Sequence, residues 1–596
     1  MNSRQRRRLP NPNPDRLPVS EIIAAAPHFK VWPKRLPREL VVPRTTLWVN
    51  LEVAARRYPD KAAYRFFGQT LTFAQLHDRA SLLAGWLQSV GVGAGDRVAL
   101  FMQNCPQFPT ACYAIWRANA VLVPVNPMNR AEEFKHYISD PGTRVVICSA
   151  DLAPIVHAAN DALPEAQRVR HVLIARYADA MPAGDIDARE VPSAAIEQWL
   201  RSVPALPAAA HAQSVAWADA VHADMHPGPH TAQPDDLAML PYTSGTTGLP
   251  KGCMHTHSTL MPNAVGGQWS HAGPESVSLG VVPMFHITGM MYSVLGNVYV
   301  GSTCVIMPRW DRELAGRLIS HCHVTHWTCI PTMVIDLFAS PNYRSFDLSS
   351  LRNLSGGGAA MPQAVAQRVQ DEFGLTFAEG YGLTETAAPS HANPPERAKL
   401  QCLGIPIFGV DSRIIDPTSL RELPIGEAGE IVTHGPMVFK GYWRHEEATA
   451  AAFVEIEGKR FFRTGDLGRI DEEGYFFITD RLKRMINASG FKVWPAEVEA
   501  LLYHHPAVQE ACIIGTRDAY RGETVKAFVV LRAQARGKTT PQDIIDWSRE
   551  QMAAYKAPRI VEFIDALPKS GSGKVMWRLL QERESGEANS AGNQAR

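Results

Sequence analysis

Apolar positions along this chain fall into two alternating textures. Unbroken apolar runs, RVALFMQN (97–104), AVLVPVNP (120–127), RVVICSAD (144–151) and HVLIARY (171–177), are each bounded by turn residues. Between such runs lie stretches with apolar residues every three or four positions, such as LTFAQLHDRASLLAGWLQSVG (71–91). Strands that are apolar at every position are covered on both faces, so this alternation predicts βα units and largely parallel sheets. Near residue 480 the texture changes to shorter units. PAEVEALLYHHPAV and PQDIIDWSREQM read as helices, and EACIIGTRD and VKAFVVLRA as strands. That predicts a separate α+β domain of about a hundred residues.

Three segments qualify this picture. Between Glu275 and Arg309 there is no Asp, Glu, Lys or Arg, but Pro283, His286, Asn297 and four glycines interrupt the stretch. It lacks the unbroken apolar run of about 20 residues that a membrane span needs and reads instead as buried strand, helix and strand. Peripheral membrane contact remains compatible with a lipid substrate. HCHVTHWTC (321–329) has metal-ligand residue types, yet Val324, Trp327 and Ile330 before Pro331 make it a buried strand ending at a ligand face. Residues 201–235, rich in Ala, Pro and His, read as a surface connection.

At 596 residues the chain exceeds what one core supports, so two or more domains are expected. A formal net charge of +1 gives no basic excess for nucleic acid, and the RRR at 6–8 is local. The head MNSRQRRRLPNPNPDRLP has too much proline for an amphipathic targeting helix and no signal-peptide core. Nine cysteines without CxxC spacing suit a reduced, cytoplasmic setting. Nothing in the sequence specifies an oligomeric state.

The densest chemistry is YTSGTTGLPKG at 242–252, following DLAML (236–240), which reads as a short buried strand. Thr243, Ser244, Thr246 and Thr247 supply hydroxyls. Gly245 and Gly248 let the backbone N–H groups approach phosphate oxygens, and Lys251 adds a cation. A P-loop would read GxxxxGK followed by Ser or Thr; here the lysine follows Pro250 and precedes Gly252, so that reading fails.

Five further segments share its register: LSGGGAAMP (354–362), EGYGLTET (379–386), FRTGDLG (462–468), TDRLKRMINASGFKVWPAEVE (479–499) and LPKSGSGKVMWR (567–578). With YTSGTTGLPKG they resemble, in order, the motifs of the adenylate-forming superfamily, which includes acyl-CoA synthetases, luciferases and peptide-synthetase adenylation domains. The resemblance spans roughly residues 45 to 580. It implies an α/β fold with a large N-terminal AMP-binding domain (41–480) and a small C-terminal lid (483–581) that rotates about a hinge at Lys483. Residues 1–40 are expected to be disordered or extended, and 582–596 a disordered tail.

The same resemblance implies the site. Thr243 to Gly248 and Lys251 would hold the ATP phosphates, and Gly357, Gly358 and Ala359 the adenine, with Tyr381 and Gly382 beside it. Asp466 would accept from the ribose hydroxyls, and Arg481 would support ribose or phosphate. Thr384 would reach the α-phosphate and Glu385 would bind Mg²⁺. Lys574 would bridge carboxylate and α-phosphate, and Gly490 would let the pantetheine arm of coenzyme A pass. PMFHITGM (283–290) resembles the segment whose His286 stands near the carboxylate entrance. Taken alone, Asp466 and Arg481 would read as a solvated face, Tyr381 as core, Lys574 as a surface lysine and Met284, Met290 and Met291 as plain core.

Bringing a carboxylate to a triphosphate joins two anions, so such catalysis consists mainly of positioning and charge neutralisation. The segments look most like medium- and long-chain fatty acid–CoA ligases: a carboxylic (fatty) acid, ATP and CoA would be the substrates and acyl-AMP the intermediate. An aryl-acid ligase is the nearest alternative. A peptide-synthetase module is disfavoured because no carrier domain follows residue 580. Nothing in 479–499 suggests the blocked lid of a CoA-independent ligase, and luciferase-type oxygenation ranks below both. A catalytically inactive nucleotide- or acyl-binding protein is the alternative of another class, disfavoured by Lys574, Glu385 and Asp466 being in place.

Overall fold

A computed structural model describes residues 26–205, 210–243, 249–357, 361–481, 484, 486–488, 491–493, 495–518, 522–552, 554–569 and 575–584. Among these the expected alternation holds. The four apolar runs form strands Arg97–Phe101, Val121–Pro124, Thr143–Ser149 and His171–Ala175, pairing in parallel within a seven-stranded sheet. The amphipathic stretch forms helix Phe73–Ser89. Thr72 starts it with a capping box: its Oγ1 accepts from the Gln75 N–H while Gln75 Oε1 accepts from the Thr72 N–H. Its buried face, Phe73, Leu76, Ala80, Leu83 and Leu87, repeats at three- and four-residue steps.

A second sheet of nine strands has a parallel centre. In spatial order it runs Ala378–Leu383, Asn353–Gly357, His326–Cys329, Val277–Gly280, Thr303–Ile306 and Ala62–Phe66. Antiparallel strands close both edges, Ala388–Ala392 and Ile405–Pro406 on one side and Gln69–Thr72 on the other. The uncharged stretch 275–309 is strand, helix and strand as read, and no helix among the described residues is long and apolar enough to cross a membrane. His326–Cys329 is a central strand; among the described residues no group of three or more His, Cys, Asp or Glu is arranged to hold a metal ion. The 201–235 stretch differs from a plain connection: Gln213–Ala216 extends the seven-stranded sheet and Trp217–His222 is a helix.

An antiparallel sheet follows, built from Asp411–Ile415, Gly429–His434, Phe453–Ile456, Lys459–Ile470 and Phe476–Arg481. The C-terminal domain is the expected α+β unit. Val508–Asp518 and Gly522–Leu531 pair antiparallel, with Ile560–Phe563 parallel to the latter. Successive residues serve opposite faces. Ala511 and Ile513 pack with Val498, Leu502 and Ile544, while Cys512 and Ile514 pack with Phe528, Leu567 and Leu580.

Both ends depart from expectation where they are described. Residues 26–40 do not trail away. Pro27–Lys30 is a turn of 3₁₀ helix, and the Trp32 ring meets Trp269 and Phe408 edge-on at centroid separations of 5.2 and 5.8 Å. Arg35 donates to Glu396 Oε1 and to the carbonyls of Gln268 and Trp269. At the other end, residues 577–584 are helical, and Glu584 accepts from Thr516 and pairs with Lys526. Residues 1–25 and 585–596 lie outside the described residues.

Truncation of Trp32 removes two aromatic contacts and their packing. Trp32→Ala is expected to cost about 3 kcal/mol, read as an earlier urea unfolding transition of the N-terminal domain. An unchanged transition would show that the segment is not part of that domain's core.

Candidate active site

The strand Leu237–Met239 ends at Tyr242–Thr243, which turns back on Lys251–Gly252 as a two-stranded ribbon, Thr243 opposite Lys251. The ribbon is anchored from outside: the Tyr242 hydroxyl donates to Asp140 Oδ2 at 2.5 Å, and the His136 ring donates to the Pro250 carbonyl. Ser244 to Gly248 lie outside the described residues.

The next components sit at the C-terminal ends of two parallel strands, where open α/β sheets bind ligands. Asn353–Gly357 and Ala378–Leu383 run side by side, Gly357 opposite Gly380. A Cβ on Gly357 would lie 2.4 Å from the Gly380 carbonyl, and one on Gly382 would lie 1.8 Å from the Ala388 carbonyl, so both positions require glycine. Gly358 and Ala359 are outside the described residues.

After Leu383 the chain makes one 3₁₀ turn, Thr384–Thr386, and then sets two non-glycine residues at positive φ, Ala387 (51°) and Ala388 (73°). Three side chains hold this turn. Asn263 Nδ2 lies within hydrogen-bonding distance of the carbonyls of Thr386, Ala387 and Pro389, 3.2, 2.8 and 3.1 Å away. The His255 Nε2–H donates to the Thr384 carbonyl at 2.8 Å, and burial lowers the His255 pKa to about 4, so its ring is neutral. The Tyr442 hydroxyl donates to Glu385 Oε1 at 2.9 Å. Burial, then the neighbouring Glu385, raises the Tyr442 pKa, which keeps that donor protonated. The Glu385 residue is only 8% exposed.

Asp466 is fully buried and no part of a solvated face. The Tyr381 hydroxyl donates to its Oδ2 at 2.6 Å, bridging the nine-stranded sheet and the antiparallel sheet. Asp466 pairs with Arg481 in the antiparallel ladder. His286 caps the helix Ile287–Gly289, which packs near Ala388–Ala392, directly after the Thr384–Glu385 turn. The following residues Met290–Leu295 wind as a π-helix. Met284, Met290 and Met291 are buried there, while Tyr292 keeps 38% of its surface exposed.

The structure thus joins Tyr381 to Asp466, sets Thr384 and Glu385 on one turn, and aligns Asp466 with Arg481. Lys574, Gly490 and Lys483 lie outside the described residues. The base of the Lys574 loop is closed by a bridge between Lys569 and Val575 and by the Met576 N–H donating to the Pro568 carbonyl. His255, Asn263 and Tyr442 were missed by sequence reasoning. Each sits outside the quoted motifs, and only the fold brings it to them.

Two family models match the chain: AMP-binding enzyme over residues 51–443 and AMP-binding enzyme C-terminal domain over residues 497–574. The chain belongs to the AMP-binding enzyme family of adenylate-forming acyl-CoA ligases. It is 34% identical to a long-chain-fatty-acid–CoA ligase of Bacillus subtilis, covering 94% of this chain and 98% of that one. It is 35% identical to a feruloyl-CoA synthase of Amycolatopsis, covering 89% and 97%. The crystal structure of ATP-bound MatB from Rhodopseudomonas palustris superposes with a TM-score of 0.77 at 27% identity, covering 91% of this chain and 99% of that one.

Neutral buried histidines make the site acid-sensitive. His255 titrates near 4 in the fold, against 6.5 when exposed, so the unfolded chain binds its proton first. Its contribution is complete above about pH 6.5 and is lost as the pH falls toward 4, at about 1.4 kcal/mol per pH unit. The melting temperature is expected to fall over this window, and His255→Gln should flatten the fall. Equal slopes in variant and wild type would contradict the assignment.

Proposed function

We propose that this chain is an ATP-dependent fatty acid–CoA ligase that works in two steps. A carboxylate oxygen attacks the α-phosphorus of ATP and pyrophosphate leaves. The CoA thiol then attacks the acyl carbon, losing its proton, and AMP leaves. The observation that carries this reading is the fully buried Asp466 carboxylate, held by the Tyr381 hydroxyl across two sheets. A fully buried carboxylate is costly unless it is paired or hydrogen-bonded. It is well suited to accepting both hydroxyls of a ribose.

Around it we assign the remaining roles. Gly357, Gly358, Ala359, Tyr381 and Gly382 form the adenine wall. Thr243 to Gly248 and Lys251 hold phosphates, Thr384 the α-phosphate, and Arg481 ribose or phosphate. Lys574 bridges carboxylate and α-phosphate, His286 guards the acid's entrance, and Gly490 passes the pantetheine arm after rotation at Lys483. The chemistry of Glu385 fits Mg²⁺. It is a buried carboxylate that accepts a hydrogen bond from a phenol. Mg²⁺ usually takes one or two carboxylates plus phosphates and water, and when bound it neutralises phosphate charge. Nine cysteines without a disulfide support a reduced, cytoplasmic setting.

Fatty acids are the favoured acids. The segment 283–300 has buried methionines and no charged group, a wall for an alkyl chain. A relative named long-chain-fatty-acid–CoA ligase supports the same reading. Aryl acids are the second reading, supported by the relative named feruloyl-CoA synthase and by the partly exposed Tyr292 ring in this segment.

Thioester formation across acids of graded length separates the two. Each buried methylene is worth about 0.8 kcal/mol, so kcat/KM should rise from acetate through the octanoate-to-palmitate series and exceed that for benzoate. A benzoate or cinnamate giving the highest value would favour the aryl reading. Lys574→Ala should lower acyl-AMP formation by ~10²–10³ yet leave thioester formation from supplied acyl-AMP largely intact. Equal losses in both half-reactions would contradict its role.

A further inference from the structure

Tyr442 lies in none of the motifs that define the site, yet it touches two of them. Its segment is knitted onto the far end of the phosphate-loop ribbon. The Trp443 N–H donates to the Gly252 carbonyl, the Met254 N–H to the Gly441 carbonyl and the Lys440 N–H to the Met254 carbonyl. Cys253 and Tyr442 form an antiparallel bridge. The same segment reaches the other motif, since the Phe439 N–H donates to the Glu385 carbonyl. From this frame the Tyr442 side chain makes two polar contacts. Its hydroxyl donates to Glu385 Oε1 at 2.9 Å, and the Lys251 ammonium lies over its ring, 5.4 Å from the centroid. An edge contact with Phe439 at 4.9 Å and a hydrogen bond from its own N–H to Thr449 Oγ1 hold the ring in place.

We propose that Tyr442 is a positioning residue for adenylation: its hydroxyl orients the Glu385 carboxylate, and its ring seats the Lys251 ammonium, so one rigid side chain sets the spacing between metal ligand and phosphate-loop cation. The inference rests on the adenylating function proposed above. A carboxylate whose oxygen accepts a fixed phenol hydrogen bond presents its remaining lone pairs in one plane, whereas a freely rotating one pays orientational entropy on binding a metal. A cation held over an aromatic face is restrained without being neutralised, so its charge stays available to phosphate. Glu385 and Lys251 are 134 residues apart in sequence, and Tyr442 joins them through a third segment.

The alternative is that Tyr442 only packs against Phe439, and Tyr442→Phe separates the two. That variant keeps the ring, its packing and the Lys251 contact, and loses only the hydrogen bond to Glu385. The proposal expects the Mg²⁺ concentration for half-maximal pyrophosphate release to rise about tenfold, equivalent to about 1.4 kcal/mol, with the KM values for acid and CoA unchanged. Equilibrium binding of Mn²⁺, followed by electron paramagnetic resonance with α,β-methylene-ATP present, should weaken by a similar factor. Tyr442→Leu, which also removes the ring, should additionally weaken binding of the metal-free nucleotide analogue. Wild-type Mn²⁺ affinity in Tyr442→Phe, or a fall in the affinity of every ligand together, would overturn the proposal. A wild-type enzyme that binds Mn²⁺ with the analogue but releases no pyrophosphate with any acid would overturn the ligase function instead.

Discussion

The site depends on one turn held against its own preference. Ala387 and Ala388 both have positive φ, which costs an L-residue roughly 1–2 kcal/mol each. The conformation persists because the surroundings over-determine it. Asn263 lies against three of its carbonyls, His255 donates to a fourth, and Tyr442 to the Glu385 carboxylate. The result is a buried acidic side chain at the C-terminal end of a parallel sheet, with the Tyr442 hydroxyl donating to it.

Around that turn, three sheets contribute one wall each. The seven-stranded sheet leads into the ribbon of Tyr242–Thr243 and Lys251–Gly252, the nine-stranded sheet supplies Gly357, Tyr381 and the turn, and the antiparallel sheet supplies Asp466. The Tyr381–Asp466 hydrogen bond ties the last two together. The N-terminal segment packs from outside, through Trp32 against Trp269 and Phe408. A site assembled at such a seam needs its walls in register, and these contacts supply that.

Much of the fold was legible in the sequence because covered parallel strands need apolar residues at every position. RVALFMQN and RVVICSAD could hardly be anything else. The motifs were legible because their glycines and hydroxyls are local signals. Gly382 is an example: its neighbour Ala388 is six residues on, and the close approach leaves no room for a Cβ. What stayed hidden was of two kinds. The ordered segment 26–40 looked like a tail because its aromatic anchors find their partners more than two hundred residues away. His255, Asn263 and Tyr442 carry no motif, since each acts through a backbone carbonyl or one carboxylate oxygen that only the folded chain brings near.

The central claim is that this seam joins AMP to a carboxylic acid before CoA takes part. Exchange of radiolabelled pyrophosphate into ATP tests that most directly. Exchange that requires ATP, Mg²⁺ and a fatty acid, and that proceeds without CoA, is the predicted result. Exchange that needs CoA, or that is indifferent to the acid, would contradict the account.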